Sequence, residues 1–427
     1  MRRRTLLKLL GAGAVAHPLM AGTAVRGRRK GGGALKKMVV IFLRGGNDAL
    51  NTLVPVDAGQ FGMYTSMRPT LAFTQPQLAN ITGSSFFAAN PALQPIVNIA
   101  NAGNLAFVHS VSYPGYDRSH FESESYYETS VPGNGLLDGW LNRYLQNTSG
   151  PGLVRGIAVG WNQPQSVLGP IPIPISTNFG NIAVADDTGA PGPLTTLLQD
   201  TYGLAPTPGN DSIYTTGTQI FDMIAGFANR DLGEYENLAS LVHIENGAVY
   251  PNTSLGDRMM HVAQMMKDDA EFIGVELATL DHGGFDTHSQ QISGGGPTDP
   301  AGQHFRILND LAQSMAAFYT DMGPTRMNDI CLMVVSEFGR QVEQNDSSGT
   351  DHGVGGMAIV MSNNISTPVS GNSWPGLSNI LHGDSLNWNV DFRDIYWEVL
   401  SRHMGLDNTT LSTIIPGHTY TPVNFMV

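Results

Sequence analysis

"MVVIFLRGGNDALN" (residues 38–51) begins with six apolar residues and turns at once into a polar loop with a glycine pair. A short, branched-rich apolar run closed by a turn signal reads as a strand buried on both faces. The loop behind it carries Asp48. The same pattern recurs along the chain: "LAFVHSV" (105–111) opens into "SYPGYDRSHFESE" with Ser119 and His120, and "VELATL" (275–280) opens into "DHGGFDTHSQQ". "ICLMVV" (330–335) opens into "SEFGRQ" with Glu337, and "MAIVM" (357–361) follows "GTDHGVGG" with Asp351 and His352.

Between these runs lie helical patterns. In "QHFRILNDLAQSMAAFYTDMG" (303–323), Phe305, Leu308, Leu311, Met315, Phe318 and Met322 share one face, and Gly323 is placed to end the helix. Residues 254–269 and 392–405 read likewise. Strands alternating with helices predict an α/β fold, a mostly parallel sheet sandwiched between helices. The region from about 150 to 250 is rich in Gly and Pro, has few periodic segments, and reads as an insertion, a lid or cap over one end of the sheet. The remainder, 38–427, is expected to be a single domain.

The first 37 residues differ from the rest. "MRRRTLLKLLGAGAVA" has basic residues, then an apolar run, then small residues, the build of an export signal; "RRTLLK" resembles the twin-arginine address. The apolar run is shorter than the about 20 residues that span a bilayer, so no stable membrane insertion is expected. These residues hold ten of the 23 Lys and Arg and no acid, leaving 13 basic against 36 acidic residues, a net of −23. Such a surface excludes nucleic acid and anionic lipid as partners. The single cysteine, Cys331, cannot form an internal disulfide and reads as a buried core thiol.

Ligands of open parallel sheets bind outside the carboxyl ends of the strands, so four of the five loops gather at one edge and the fifth can reach it. If "GFDTH" leaves its strand extended, Asp286 and His288 point the same way and can grip one ion. Carboxylate and imidazole together suit Zn²⁺ or Mn²⁺, with Asp48, Glu337 and His352 converging as further ligands; Asp281 and His282 are candidates to support them. A polar turn with a hydrogen-bonded histidine is the plainer reading of the same stretch. Ser119 fits either a helix cap, in the Ser-x-x-Glu pattern "SHFE", or a nucleophile at a helix start. His120 is an acid or only a neighbour. Arg118 and Arg340 either clamp an anion or pair with carboxylates.

"FLRGGNDALNTLVP", "RSHFESESYYE", "DGWLNRYL", "GGFDTHSQQ", "SEFGRQVEQN", "GTDHG" and "DFRDIYWEVL" together resemble the exported bacterial family called domain of unknown function 1501, over nearly the whole chain after the signal. That family has no settled activity. Its core is similar to the alkaline phosphatase superfamily, which hydrolyses or transfers phosphate and sulfate esters with metal ions and a Ser, Thr or modified Cys nucleophile. The resemblance implies that Asp48, Asp286, His288 and His352 match metal ligands and Ser119 the nucleophile. Glu337 and Phe338 stand where those enzymes usually have Asp-His, which points to a single-metal or inactive site, with Asp351 as a replacement ligand. The expected function is a periplasmic or extracellular metal-dependent hydrolase, exported by the twin-arginine translocase. It would hold one or two divalent ions and act on a small-molecule or envelope ester. The alternative is a non-catalytic exported protein holding a cell-envelope partner. A metal-free serine hydrolase is disfavoured because no "GxSxG" is present.

Overall fold

The computed structural model describes residues 35–133, 138–177, 243–267 and 274–427. The segment read as an export signal, and most of the region read as an insertion, lie outside the described residues.

Among the described residues, nine strands form the main sheet: β1 (Lys37–Arg44), β2 (Leu105–Ser112), β3 (Gly156–Val159), β4 (Ile175–Ser176), β5 (Leu277–Gly283), β6 (Ile330–Ser336), β7 (Gly356–Met361), β8 (Val369–Ser370) and β9 (Val390–Asp391). Their order is β8-β2-β7-β6-β1-β5-β3-β4, with β9 also paired to β2. β1 sits between β5 and β6, with Val40 level with Thr279 and Met333. Every pairing is parallel except those of β7, which runs antiparallel to both β2 and β6. That reversal brings the fifth loop to the site: the start of β7, not its end, lies at the carboxyl edge of its neighbours.

The apolar runs are continuous because both faces are covered. Val39, Ile41 and Leu43 pack with Met259, Leu308, Leu311, Met315 and Phe318, from α4 (Ser254–Lys267) and α5 (Gln303–Met327). Met38, Val40 and Phe42 point the other way. They join the cluster of Trp140 from α3 (Trp140–Asn147), Tyr396 from α6 (Phe392–Glu398) and Leu411 from α7 (Asn408–Ile414). Each such buried side chain contributes roughly 1.5–3 kcal/mol relative to exposure. Cys331 belongs to this second layer, and burial pushes its thiol up to about 12.

The helices depart from expectation at their ends. Gly323 (φ 68°, ψ 168°) breaks α5 as its position suggested, but Pro324 starts one more helical turn before Asn328. α6 continues into a π-helical turn at Val399–His403. The region read as a cap is corrected in part: its first portion supplies β3 and β4, which extend the sheet beyond β5. Its Gly/Pro content hid them because the two strands are only four and two residues long. No helix among the described residues is long and apolar enough to cross a membrane.

Candidate metal centre

The loops after β1, β5 and β6 meet because two glycines let them. Gly45 (φ 117°) and Gly46 (φ 74°) are both left-handed. A Cβ on Gly45 would lie 2.3 Å from the Asp286 amide nitrogen, and one on Gly46 would lie 2.4 Å from the Phe338 ring. Arg340, fully buried, ties the same loops together. Its Nε donates to the Gly46 carbonyl (2.8 Å), one terminal nitrogen to Thr350 (2.9 Å), and the other to Gly45, Phe285 (3.1 Å) and Asp286 Oδ1 (2.6 Å). The sequence allowed Arg340 to be an anion clamp. The structure corrects this: four backbone carbonyls and a carboxylate use its donors, as burial of a guanidinium requires.

Three histidines converge beside this frame, and each has its proton position fixed from behind. His120, the first residue of α2 (His120–Thr129), donates Nδ1 to Glu337 Oε1 (2.9 Å). His288 donates Nδ1 to Asp351 Oδ1 (2.7 Å), and His352 donates Nδ1 to the Arg118 carbonyl (2.7 Å). Carboxylate and carbonyl oxygens only accept, so in the neutral rings all three Nε2 atoms carry lone pairs. His288 and His352 face each other through these atoms, and all three histidines face Asp286. His288 Nε2 is 2.9 Å from His352 Nε2, and Asp286 Oδ1 lies 3.1, 3.3 and 3.5 Å from the Nε2 atoms of His288, His352 and His120. His120 Nε2 is buried with no hydrogen-bond partner.

Of these atoms, Asp286 Oδ1 has Arg340 as its donor, while the buried His120 Nε2 has none and is costly unless a cation reaches it. The separations fit one. Zinc–nitrogen bonds of about 2.0–2.1 Å in a tetrahedron give ligand–ligand edges of roughly 3.3 Å. His120, Asp286 and His352 form one of the groups able to hold a metal; His120, Glu124 and Glu337 form another. In the second, His120 Nδ1 already faces Glu337, so the first set with His288 added is the better donor set. The hydrogen bonds behind each imidazole are the arrangement that orients metal-binding histidines.

The charges agree with this division. The Glu337 hydrogen bond raises the His120 pKa against the opposing effect of burial, while burial lowers that of His352. Burial disfavours the Asp286 charge, but the Arg340 hydrogen bond and charge outweigh it and hold the carboxyl below its ordinary value. Phe338 is buried, with its ring centroid 4.9 Å from that of His120 and 4.8 Å from that of His352. Where the resemblance expected a histidine ligand, this chain has an apolar wall that fixes two other rings.

Asp48 does not join the cluster: it is buried, pairs with Arg68 (2.7 Å), accepts from Gln291 (2.6 Å) and caps the short helix after Gly46. Glu337 and Asp351 stand behind His120 and His288 rather than among the convergent atoms. Arg118 forms a bidentate pair with Asp384 (2.9 and 2.8 Å), so it too is no free clamp. Asp281 pairs with Arg44 (2.9 Å), and His282 donates Nε2–H to the Ile307 carbonyl (3.0 Å). Ser119 is the N-cap residue of α2 by position, yet its hydroxyl makes no cap hydrogen bond. The sequence reading overlooked Glu124. It follows His120 by one helical turn, a spacing visible in "HFESE", and its carboxyl is pushed up to about 7 by burial against the pull of Arg44.

Residues 246–363 match the model of a family described as "Protein of unknown function (DUF1501)". That span contains Asp286, His288, Glu337, Asp351 and His352 but not His120. No curated protein sequence matches the chain. Among solved structures, the C-terminal periplasmic domain of EptC from Escherichia coli, in complex with zinc, is similar at 9% identity and a TM-score of 0.33, over 77% of this chain and 74% of that one. Alkaline phosphatase from the Antarctic bacterium TAB5 is similar at 7% identity and a TM-score of 0.27, over 77% and 92%. At these scores neither likeness carries an argument about chemistry.

Proposed function

We propose that this chain is an exported, metal-dependent hydrolase of phosphate or sulfate esters, with His120, His288, His352 and Asp286 as its ligands. One observation carries the reading: three imidazoles, each oriented from behind, turn their Nε2 atoms toward the Asp286 carboxylate, and the buried Nε2 of His120 has no hydrogen-bond partner. A divalent ion held there would act as a Lewis acid on an ester oxygen and neutralise charge that builds on it. The chain's own groups supply the rest. Ser119 presents an uncommitted hydroxyl at a helix N-terminus beside His120, the position of a nucleophile. Glu124 can hold or release a proton near neutral pH.

Purified protein is to be stripped with chelator, reloaded with Zn²⁺ or Mn²⁺, and assayed on a panel of phosphate and sulfate esters. Turnover that depends on metal and disappears in Ser119→Ala is the expected result. A metal-loaded protein inert across the panel would leave the non-catalytic binding protein as the better reading. Export by the twin-arginine translocase is part of the proposal, on the strength of "RRTLLK". Arg3→Lys with Arg4→Lys should retain precursor in the cytoplasm, and normal export of that variant would refute the route.

A further inference from the structure

We infer that the ester taken at this centre is a diester with a single negative charge, rather than a dianionic monoester. The inference rests on the metal-dependent hydrolase reading and deepens it. A monoester has a second pKa near 6 and so carries close to two charges at pH 7.5. A site for such a dianion offers guanidinium or ammonium groups besides its metal. Here the arginines of the site loops are already engaged. Arg340 bonds four carbonyls and Asp286, and Arg118 is held bidentate by Asp384. Arg44 is ringed by Glu124 (3.0 Å), Glu128 (3.0 Å) and Asp281 (2.9 Å), and Arg68 is buried against Asp48. Arg258 donates to the Ser254 carbonyl (2.9 Å), and Arg306 is exposed on the first turn of α5, outside the site loops.

Lysine does not make up the difference. Lys36 and Lys37 lie at the start of β1 and Lys267 ends the helix leading to β5, so all three belong to the opposite edge of the sheet. Residues 178–242, whatever their placement, bring one arginine and no lysine against eight acids. Meanwhile Glu337 and Asp351 stand directly behind His120 and His288, so a second negative charge on the substrate comes close to carboxylates. An esterified oxygen removes that charge. It also adds an apolar arm, and Phe121, one residue beyond His120, stands 87% exposed to receive it.

The test is calorimetric binding to zinc-loaded protein at pH 7.5 of phenyl phosphate and methyl phenyl phosphate, which share a ring and differ by one methyl and one charge. We expect the diester to bind at least tenfold more tightly, and Phe121→Ala to weaken its binding severalfold. Equal or tighter binding of phenyl phosphate, or no binding of the diester to protein that holds zinc, would overturn the inference; unchanged diester affinity in Phe121→Ala would overturn the placement of its arm. If the protein takes up no zinc before any ester is added, the metal centre itself is wrong. That failure is distinguishable from the others.

Discussion

His120, His288 and His352 differ from ordinary loop histidines in one respect: the nitrogen not facing the cluster is always the one with a fixed acceptor. Substituting any of the three with Ala should weaken zinc binding at least 100-fold, because an open tetrahedral set binds poorly. Glu337→Gln and Asp351→Asn should cost about 10–100-fold, since these carboxylates orient imidazoles without meeting the ion. Asp48→Ala is the contrasting case. It should leave zinc affinity unchanged and lower stability by about 3–5 kcal/mol in urea titration, because it abandons buried Arg68. Ser119→Ala should shift stability by less than about 0.5 kcal/mol, against about 1 kcal/mol for a working cap. The sequence offered Asp286, His288 and His352 as ligands, and the structure brings the three together. It could not separate ligand from support for Glu337 and Asp351, because that distinction depends on which imidazole nitrogen each carboxylate reaches. Arg118 and Arg340 were equally ambiguous, since no spacing rule says whether a guanidinium meets a ligand or its own chain's carbonyls.

Secondary elements position these side chains through close approaches rather than through flexible loops. Gly45→Ala should be severely disruptive: its φ of 117° strains any L side chain, and the new methyl would meet the backbone of Asp286 at 2.3 Å. Loss of a few kcal/mol of stability together with loss of zinc uptake is the expected outcome. A stable Gly45→Ala protein with full zinc affinity would mean that the β1 and β5 loops are not locked together in solution. The five long strands were legible from their apolar runs because both faces of the sheet are buried. The direction of β7 was not, since an antiparallel strand buried on both faces has the same composition as its parallel neighbours. β5 runs on to Gly283 where the apolar pattern stopped at Leu280, because pairing with β1 continues through Asp281 and His282. Edge pairing with β5 likewise made strands of residues 156–159 and 175–176, which composition had assigned to a cap.

Across the described residues, burial lowers the pKa of four buried histidines, His282 among them, and sets a pH limit apart from the proposed metal centre. Burial lowers His109, His304 and His403 to about 4 each. Above pH 6.5 they are neutral in both states; as pH falls from there toward 4 the unfolded chain takes up protons that the folded chain refuses, so stability drops. Glu124, raised to about 7, works in the opposite sense and offsets part of the loss. For protein kept in chelator, stability in urea should be lower at pH 5.5 than at pH 7.5 by about 2 kcal/mol, and a flat profile would contradict the neutral burial of these rings. The fold class followed from alternating strands and helices, and the gathering of loops at one edge followed from the fold class. The proposed metal centre needs more than gathering: it requires His120, at the start of α2 and about 170 residues before His288, to share a single point with it. Zinc titration of the stripped wild type at pH 7.5, beside His120→Ala, tests that claim most directly. The account predicts one ion per chain in the wild type and at least a 100-fold loss of affinity in the variant. A wild type that takes up no zinc, or a His120→Ala protein that binds it equally well, would contradict it.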